Sequence, residues 1–250
     1  VVVPDAQQLT REEKETLALL LTEKIRRQQQ KRFFRMFPDE DGFDLEGNPV
    51  FARRKYVKHL EFFRAGAQYR ERLAMFGNRV GKTVAGAYET TCHLTGLYPD
   101  WWEGRRFANP VRWWAAGKTN ETTRDIVQKE LLGEIAASGS RKVVSGTGMI
   151  PGALIGGITW KQGVSDLVDT VKVKHVSGRF SLLGFKSYQQ GRGSFEGTAQ
   201  HGAWLDEECP FDIYGEVLIR TATTDGIVLS TFTPLEGYSE TVKQFMPRNS

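Results

Sequence analysis

Apolar and polar positions change their rhythm along this chain at about residue 56. Ahead of that point, Thr10 and Glu13 stand three residues apart before the leucine-rich run at 17–21. That spacing is the signature of a capping box opening a helix, and the helix is predicted to run to about Phe37. The stretch "PDEDGFDLEGNP" (38–49) is rich in turn formers and ends it. From residue 56 onward, short apolar runs alternate with longer amphipathic ones. "RLAMF" (72–76) predicts a buried strand and "KTVAGAYETTCHLTGL" (82–97) the helix that follows. "VRWWAAG" (111–117) predicts a second strand, and "TNETTRDIVQKELLGEI" (119–135) a helix capped by Thr119 or Asn120. Two β-rich runs follow, "TVKVKHV" (170–176) and "RFSLLGFKS" (179–187). "HGAWLDEE" (201–208) is a strand ending in acids, and "IVLSTFTP" (227–234) is the last one. The glycine-rich patch 146–163 is expected to be loop.

Strands alternating with helices predict an α/β fold: a mostly parallel sheet with helices on both faces. Residues 1–55 read as a helical N-terminal appendage with a turn-rich linker, and 56–250 as the α/β domain. No internal repeat is present. The apolar fraction of 40% suits a full core, and no run approaches the ~20 apolar residues of a membrane span. The N-terminal residues lack the regions of a signal peptide. Cys92 and Cys209 lie far apart and indicate no disulfide framework, so a reducing, cytoplasmic setting is expected.

Charge changes the picture only locally. The net charge of +4 permits a polyanionic partner without demanding one. Basic residues bunch at 24–35 and 53–59, where solvated helix faces and nucleic-acid contacts are both open readings. The acidic turn after Pro38 invites a calcium-loop reading. Counted from Asp39, glycine falls fourth rather than sixth and Val50 occupies the twelfth place, so that reading is rejected.

Candidate chemistry centres on "MFGNRVGKTVAG" (75–86). A strand entering a glycine turn and leaving as a helix gathers backbone N–H groups at the positive end of the helix, which suits phosphate. The usual spacing G-x-x-x-x-G-K-[ST] would place its first glycine at Phe76, but here that glycine is Gly77. The chemistry survives the shift because Gly81, Lys82 and Thr83 keep their mutual spacing. Gly77, Asn78, Arg79, Val80 and Gly81 would then line the cradle, Lys82 would reach the β- and γ-phosphates, and Thr83 would bind Mg²⁺.

Downstream acids fit the same site. A nucleotide hydrolase needs one carboxylate at a strand end for Mg²⁺ and another group to orient water. Asp206 takes the metal role and Glu207 the base role. Strand alternation would point Glu208 to the opposite face. Ser230, Thr231 and Thr233 stand at the end of the last strand, where a hydroxyl could meet the terminal phosphate.

With these three sites in order, the chain resembles the ATPase domain of tailed-bacteriophage terminase large subunits, the DNA-packaging motors. The likeness covers roughly residues 56–245 and rests on "FGNRVGKT", "GRGSFEGTAQHGAWLDEE" and "IVLSTFTPLEG". It implies a P-loop NTPase fold of the ASCE (RecA-like) kind and hydrolysis of ATP with Mg²⁺. Residue by residue, it implies phosphate and Mg²⁺ binding by Lys82 and Thr83, a Walker B acid at Asp206 and a catalytic glutamate at Glu207. It also implies a coupling motif from Ser230 to Thr233. An arginine finger would be Arg79 acting in cis or Arg192 acting in trans. The implied partners are double-stranded DNA, a portal ring, a small terminase subunit and copies of the chain itself. Those copies would form a ring, a pentamer, on the procapsid in the host cell cytoplasm, with a monomer expected in isolation and no membrane involved. Two departures stand out. The glutamine that reads adenine in many members is missing, with His59 near its place, and the chain stops at Ser250 without the nuclease domain. No DNA cleavage is therefore expected from it.

Overall fold

The computed structural model describes residues 10–29, 31–44, 47–75, 77, 80–138, 141–234, 237 and 239–246. The chain opens with α1 (Arg11–Gln29) and α2 (Arg32–Arg35). A small hairpin, β1 (Gly42–Phe43) with β2 (Pro49–Val50), leads to α3 (Val57–Ala65). The cradle region is β3 (Glu71–Met75), a loop, and α4 (Lys82–Thr95). After β4 (Arg112–Gly117) comes a helical stretch in three parts: α5 (Asn120–Thr122), a π-helical segment Thr123–Gln128, and α6 (Lys129–Leu132). The hairpin β5 (Ile135–Ser138) and β6 (Arg141–Val144) precedes β7 (Ile155–Trp160), β8 (Val168–Lys174) and β9 (Phe180–Ser187). The chain then runs through β10 (Gly202–Asp206), α7 (Phe211–Ala222), β11 (Ile227–Phe232) and α8 (Glu240–Phe245).

Seven strands form one sheet in the order β3-β11-β10-β4-β9-β8-β7. The pairs from β3 through β9 are parallel, while β8 and β7 add an antiparallel extension. Strand alternation sorts the core into two faces. Trp113, Ala115, Trp204 and Leu229 pack with Ala85, Tyr88 and Cys92 of α4. Trp114, Ala116, Ala203, Leu205 and Val228 pack with Ile213, Tyr214 and Val217 of α7. Fully burying each large side chain in these layers contributes roughly 1.5–3 kcal/mol before entropy is counted. Phe33 and Phe37 join the first layer, each with its ring centroid 5.0 Å from that of Tyr88.

Local sequence explains most of the element ends. Thr10 and Glu13 form the capping box, with Glu13 accepting from the Thr10 amide at 2.8 Å. Thr119 caps α5, accepting from the Thr122 amide at 3.1 Å. Gly96, with φ +72°, closes α4 in the left-handed conformation that favours glycine.

Three expectations are corrected. The first helix does not run unbroken to Phe37: Lys31 is extended (φ −90°, ψ 137°), and a separate α2 turns Phe33 into the core. The helix from 119 stops at Leu132, because Gly133 (φ +85°) reverses the chain into the unanticipated β5–β6 hairpin. The glycine-rich patch is loop only in part, since residues 155–160 form the edge strand β7. Glycine in a strand weakens its periodic signal, and an edge position tolerates it. A side chain at Gly156 would come within 3.0 Å of the Phe180 ring.

A buried ionic network joins the strand before the cradle to the helix after it. Arg72 on β3 holds Glu89 on α4 through two bonds, at 2.6 and 3.1 Å, and also donates to the Phe62 carbonyl at 2.8 Å. His93 Nε2 lies 3.1 Å from the same carboxylate, and all three residues are buried. Burial pushes the Glu89 carboxyl up, but the Arg72 charge and the His93 bond outweigh it and hold it below its usual value.

Candidate active site

The cradle lies where β3 ends and α4 begins. Gly81 is the N-cap of α4 with φ +81°, a conformation that lets the loop turn directly into the helix. Behind it, the His59 ring of α3 contacts the backbone at Val80 and Gly81, and burial holds its pKa below the usual histidine value. Gly77, Val80, Gly81, Lys82 and Thr83 are therefore all placed on this turn or the first turn of α4. Phe76, Asn78 and Arg79 lie outside the described residues.

Lys82 reaches back over the loop. Its ammonium donates to the Gly77 carbonyl at 2.6 Å and to the Thr233 hydroxyl at 2.8 Å. The cradle and the end of β11 thus meet at one side chain. The Thr83 hydroxyl lies 3.4 and 3.5 Å from the two Asp206 carboxylate oxygens, longer than an ordinary O–H···O bond.

Asp206 is the last residue of β10 and is buried. Burial drives its pKa up to about 7, with the neighbouring Glu207 charge adding to the rise. The Thr231 and Thr83 hydroxyls and the Lys82 charge pull the other way. Thr231 donates to Asp206 Oδ1 at 2.6 Å and accepts from Trp204 Nε1 at 2.8 Å. This chain of donors fixes the carboxylate's orientation. It also requires Gly86, because a β-carbon there would clash with the Trp204 indole. In the sequence Trp204 reads as an ordinary core residue; the fold gives its buried indole N–H the Thr231 hydroxyl as partner.

Strand β10 ends at Asp206, so alternation does not govern the next two acids, and that expectation is corrected. Glu207 has φ +66°, an uncommon conformation for a non-glycine residue that concentrates at functional sites. Its amide donates to the Thr231 carbonyl at 3.0 Å, while the buried Tyr188 hydroxyl donates to the Asp206 carbonyl at 2.9 Å. The Glu207 side chain is exposed, and it lines a cavity of about 370 Å³ with Lys118, Glu208, Thr233 and Ser239. Glu208 is held by the hydroxyl of Ser239, the N-cap of α8.

Ser230 does not reach the site. It lies one residue from Thr231 on β11 and so points to the opposite face, where its buried hydroxyl has no protein partner. Arg192 is held within its own chain by Glu216 of α7, at 2.9 and 3.1 Å, rather than by a backbone carbonyl. Glu216 is buried and also binds Arg220 at 2.7 Å. A larger groove of about 430 Å³, lined by Phe33, Phe37, Tyr88 and Trp101 among others, lies between α2 and the loop after α4. None of the cradle residues lines it.

The donor set at the strand ends consists of oxygens only: one threonine hydroxyl and one carboxylate. That set suits a hard cation such as Mg²⁺, and a cation there would supply the charge that buried Asp206 lacks.

A turn-bound lysine and threonine, an acid two strands away and β11 inserted between β3 and β10 define a P-loop domain with the additional strand. Residues 73–250 match the family described as terminase large subunit, T4likevirus-type, N-terminal, and the chain belongs to that family. The large terminase subunit of Salmonella phage P22 is 40% identical over 214 residues, covering 78% of this chain and 42% of that protein. The chain thus spans about two fifths of the length of this curated relative. Solved structures matched in part include the large terminase from a thermophilic bacteriophage (14% identical, 72% of this chain and 38% of that one, TM-score 0.48). The same phage's protein in complex with ADP matches at 17% identity over the same shares, with a TM-score of 0.47. The HK97 bacteriophage large terminase matches at 12% identity, over 81% and 38%, with a TM-score of 0.47.

Proposed function

We propose that this chain is the ATPase motor domain of a terminase large subunit, using ATP and Mg²⁺ to translocate double-stranded DNA into a procapsid. The observation that carries the reading is the meeting of Lys82, Thr83, Asp206, Thr231 and Thr233 at the adjoining ends of β3, β10 and β11. Backbone amides of the 77–83 turn receive the phosphates, with the N-terminus of α4 behind them. Lys82 exchanges its Thr233 and Gly77 partners for phosphate oxygens. Thr83 and Asp206 would hold Mg²⁺, whose charge, when bound, offsets that of the phosphates.

Hydrolysis joins a water oxygen to the γ-phosphorus and breaks the bond to the β–γ bridging oxygen, giving ADP and phosphate. Glu207 accepts the water's proton. The engagement of Glu208 by Ser239 supports Glu207 in that role. Thr233, sharing Lys82 with the cradle, would couple the phosphate's presence to the segment leading into α8. Arg79 and Arg192 are the two candidates for neutralising charge on the transferring group. Arg192 must first leave Glu216, and a neighbouring subunit's site would be its destination.

Residues 56–250 are assigned to this motor domain, and residues 1–55 to an appendage docked on it through Phe33 and Phe37. The partners proposed are duplex DNA, the portal ring, the small terminase subunit and further copies of the chain in a ring. The place of action proposed is the host cell cytoplasm. Among the described residues no helix is long and apolar enough to cross a membrane.

Steady-state ATP hydrolysis by the purified chain tests the reading. Weak basal turnover is expected, with Lys82→Ala and Glu207→Ala each lowering it by about 10²–10⁴-fold. Nucleotide binding with no turnover in the unmodified chain would instead mark a binding module, and unchanged rates in both variants would remove the site assignment.

A further inference from the structure

The second basic cluster of the N-terminal third, at 53–59, is largely neutralised. Arg53 pairs with Asp39, Arg54 with Glu40 at 3.3 Å, Lys55 with Asp41 at 2.6 Å and Lys58 with Glu61 at 2.7 Å. In the first cluster, Arg32 pairs with Glu130 at 2.5 Å. Among the described residues, basic side chains without an ion pair cluster on the antiparallel extension of the sheet and the adjoining strand β4.

On the α7 side of the sheet, the packed layer reaches β4 at Trp114, beyond which that face is open. Lys172 of β8, Leu182 of β9 and Arg112 of β4 are register partners in one row, and Lys174 pairs with Phe180 in the next. Lys172, Lys174, Arg112 and Phe180 are exposed. Among the described residues, none of the three basic side chains forms an ion pair. Lys186 extends over the Trp114 ring, 5.6 Å from its centroid, at the same face. Asp169 is the acid within electrostatic reach of Lys186 and Lys161.

Glycines keep this face flat. A β-carbon on Gly156 would lie 3.4 Å from that of Lys172, and one on Gly184 would lie 3.2 Å from the Trp114 ring. Lys172 and Lys174 stand about 7 Å apart along the strand, and Lys172 and Arg112 about 10 Å apart across three strands. A duplex presents one phosphate per about 3.4 Å of axis on each strand, so a flat basic face of this breadth can meet several at once. The centre of a protein-binding surface is depleted in lysine, whereas Lys172, Lys174 and Lys186 stand on this face beside Phe180 and Leu182.

We propose that the open face of β7, β8 and β9, carrying Lys172, Lys174, Lys186 and the adjoining Arg112, binds the phosphate backbone of duplex DNA. This rests on the reading of the chain as a DNA-translocating domain and assigns the substrate's contact surface. Binding there is to phosphates, so it is blind to sequence and steeply salt-dependent.

The test is anisotropy of a short labelled duplex of mixed sequence, titrated with the full chain across a range of salt concentrations. Lys172→Gln/Lys174→Gln is expected to weaken binding at least tenfold at low salt. It should also flatten the slope of log K against log salt by about 2, at roughly 0.9 per lost phosphate contact. Lys172→Arg/Lys174→Arg should bind like the parent, and Lys55→Gln/Lys58→Gln should change little. Unchanged affinity and slope in the Gln pair would overturn the proposal. So would a loss that the arginine pair shares, or a Gln pair that impairs only self-association measured by sedimentation. Basal ATP hydrolysis of the Gln pair should match the parent. Lys82→Ala, conversely, should lose hydrolysis and keep the salt slope, so the motor reading and this contact surface fail separately.

Discussion

The Lys82 ammonium donates to the Thr233 hydroxyl at 2.8 Å, across the gap between the cradle and the end of β11. A residue that would hold phosphate is thus held by the segment that would respond to it. Thr233→Val keeps the shape and removes the acceptor. Nucleotide affinity measured with a fluorescent ATP analogue is expected to change by less than tenfold. The turnover number is expected to fall by about 10²-fold, the scale of losing one well-placed polar group at a reacting centre. Equal turnover in the parent and this variant would remove Thr233 from the coupling role.

Asp206 makes stability depend on pH in a definite direction. Its pKa is about 7 in the folded chain, raised by burial from an ordinary value near 3.8. Below about pH 4 both folded and unfolded forms hold the proton and nothing is lost. As pH rises toward 7, the unfolded chain releases its proton first, so stability falls by about 4 kcal/mol and stays lower above that range. Urea denaturation in a chelating buffer should show this decline, and Asp206→Asn should flatten it. A variant whose pH profile parallels the parent's would mean the carboxyl is not the group responsible.

The buried network under the cradle gives a stability prediction. Arg72→Met leaves Glu89 buried beside a neutral side chain and is expected to cost about 3–5 kcal/mol in denaturant unfolding. Adding Glu89→Gln removes the stranded charge, so the double variant should recover part of that loss. If the double variant is less stable by the sum of the two single losses, the pair is not coupled.

Arg192 gives a fourth. Its guanidinium is bound to Glu216 in its own chain, so Arg192→Ala should leave basal hydrolysis by the dilute chain within about twofold. An arginine finger contributes about 10³–10⁵-fold where it acts. The effect of Arg192→Ala should therefore appear only where chains assemble and vanish on dilution. A large loss in the dilute chain would place Arg192 at its own site instead.

Much of the architecture was legible in the sequence because its signals are local. Strands β4, β10 and β11 carry apolar runs of the kind a doubly covered parallel sheet demands, β3 has a shorter one at Leu73–Met75, and α4 is framed by Gly81 and Gly96. What stayed hidden depends on partners distant in sequence. Gly156 and Gly157 hide β7 because a glycine-bearing edge strand has no alternating pattern to read. The left-handed turn at Glu207 is held by Tyr188 and the Thr231 carbonyl, so no rule based on strand alternation could reach it. Trp204 reads as core until the fold places Thr231 against its indole nitrogen.

The clasp of Arg72 on Glu89 has a mechanical consequence. The pair ties β3 to α4 on either side of the loop, so parting them would leave a buried charge without its partner. On the proposed reading, a displacement that accompanies hydrolysis is expected on the β11 side, where Thr233 meets Lys82.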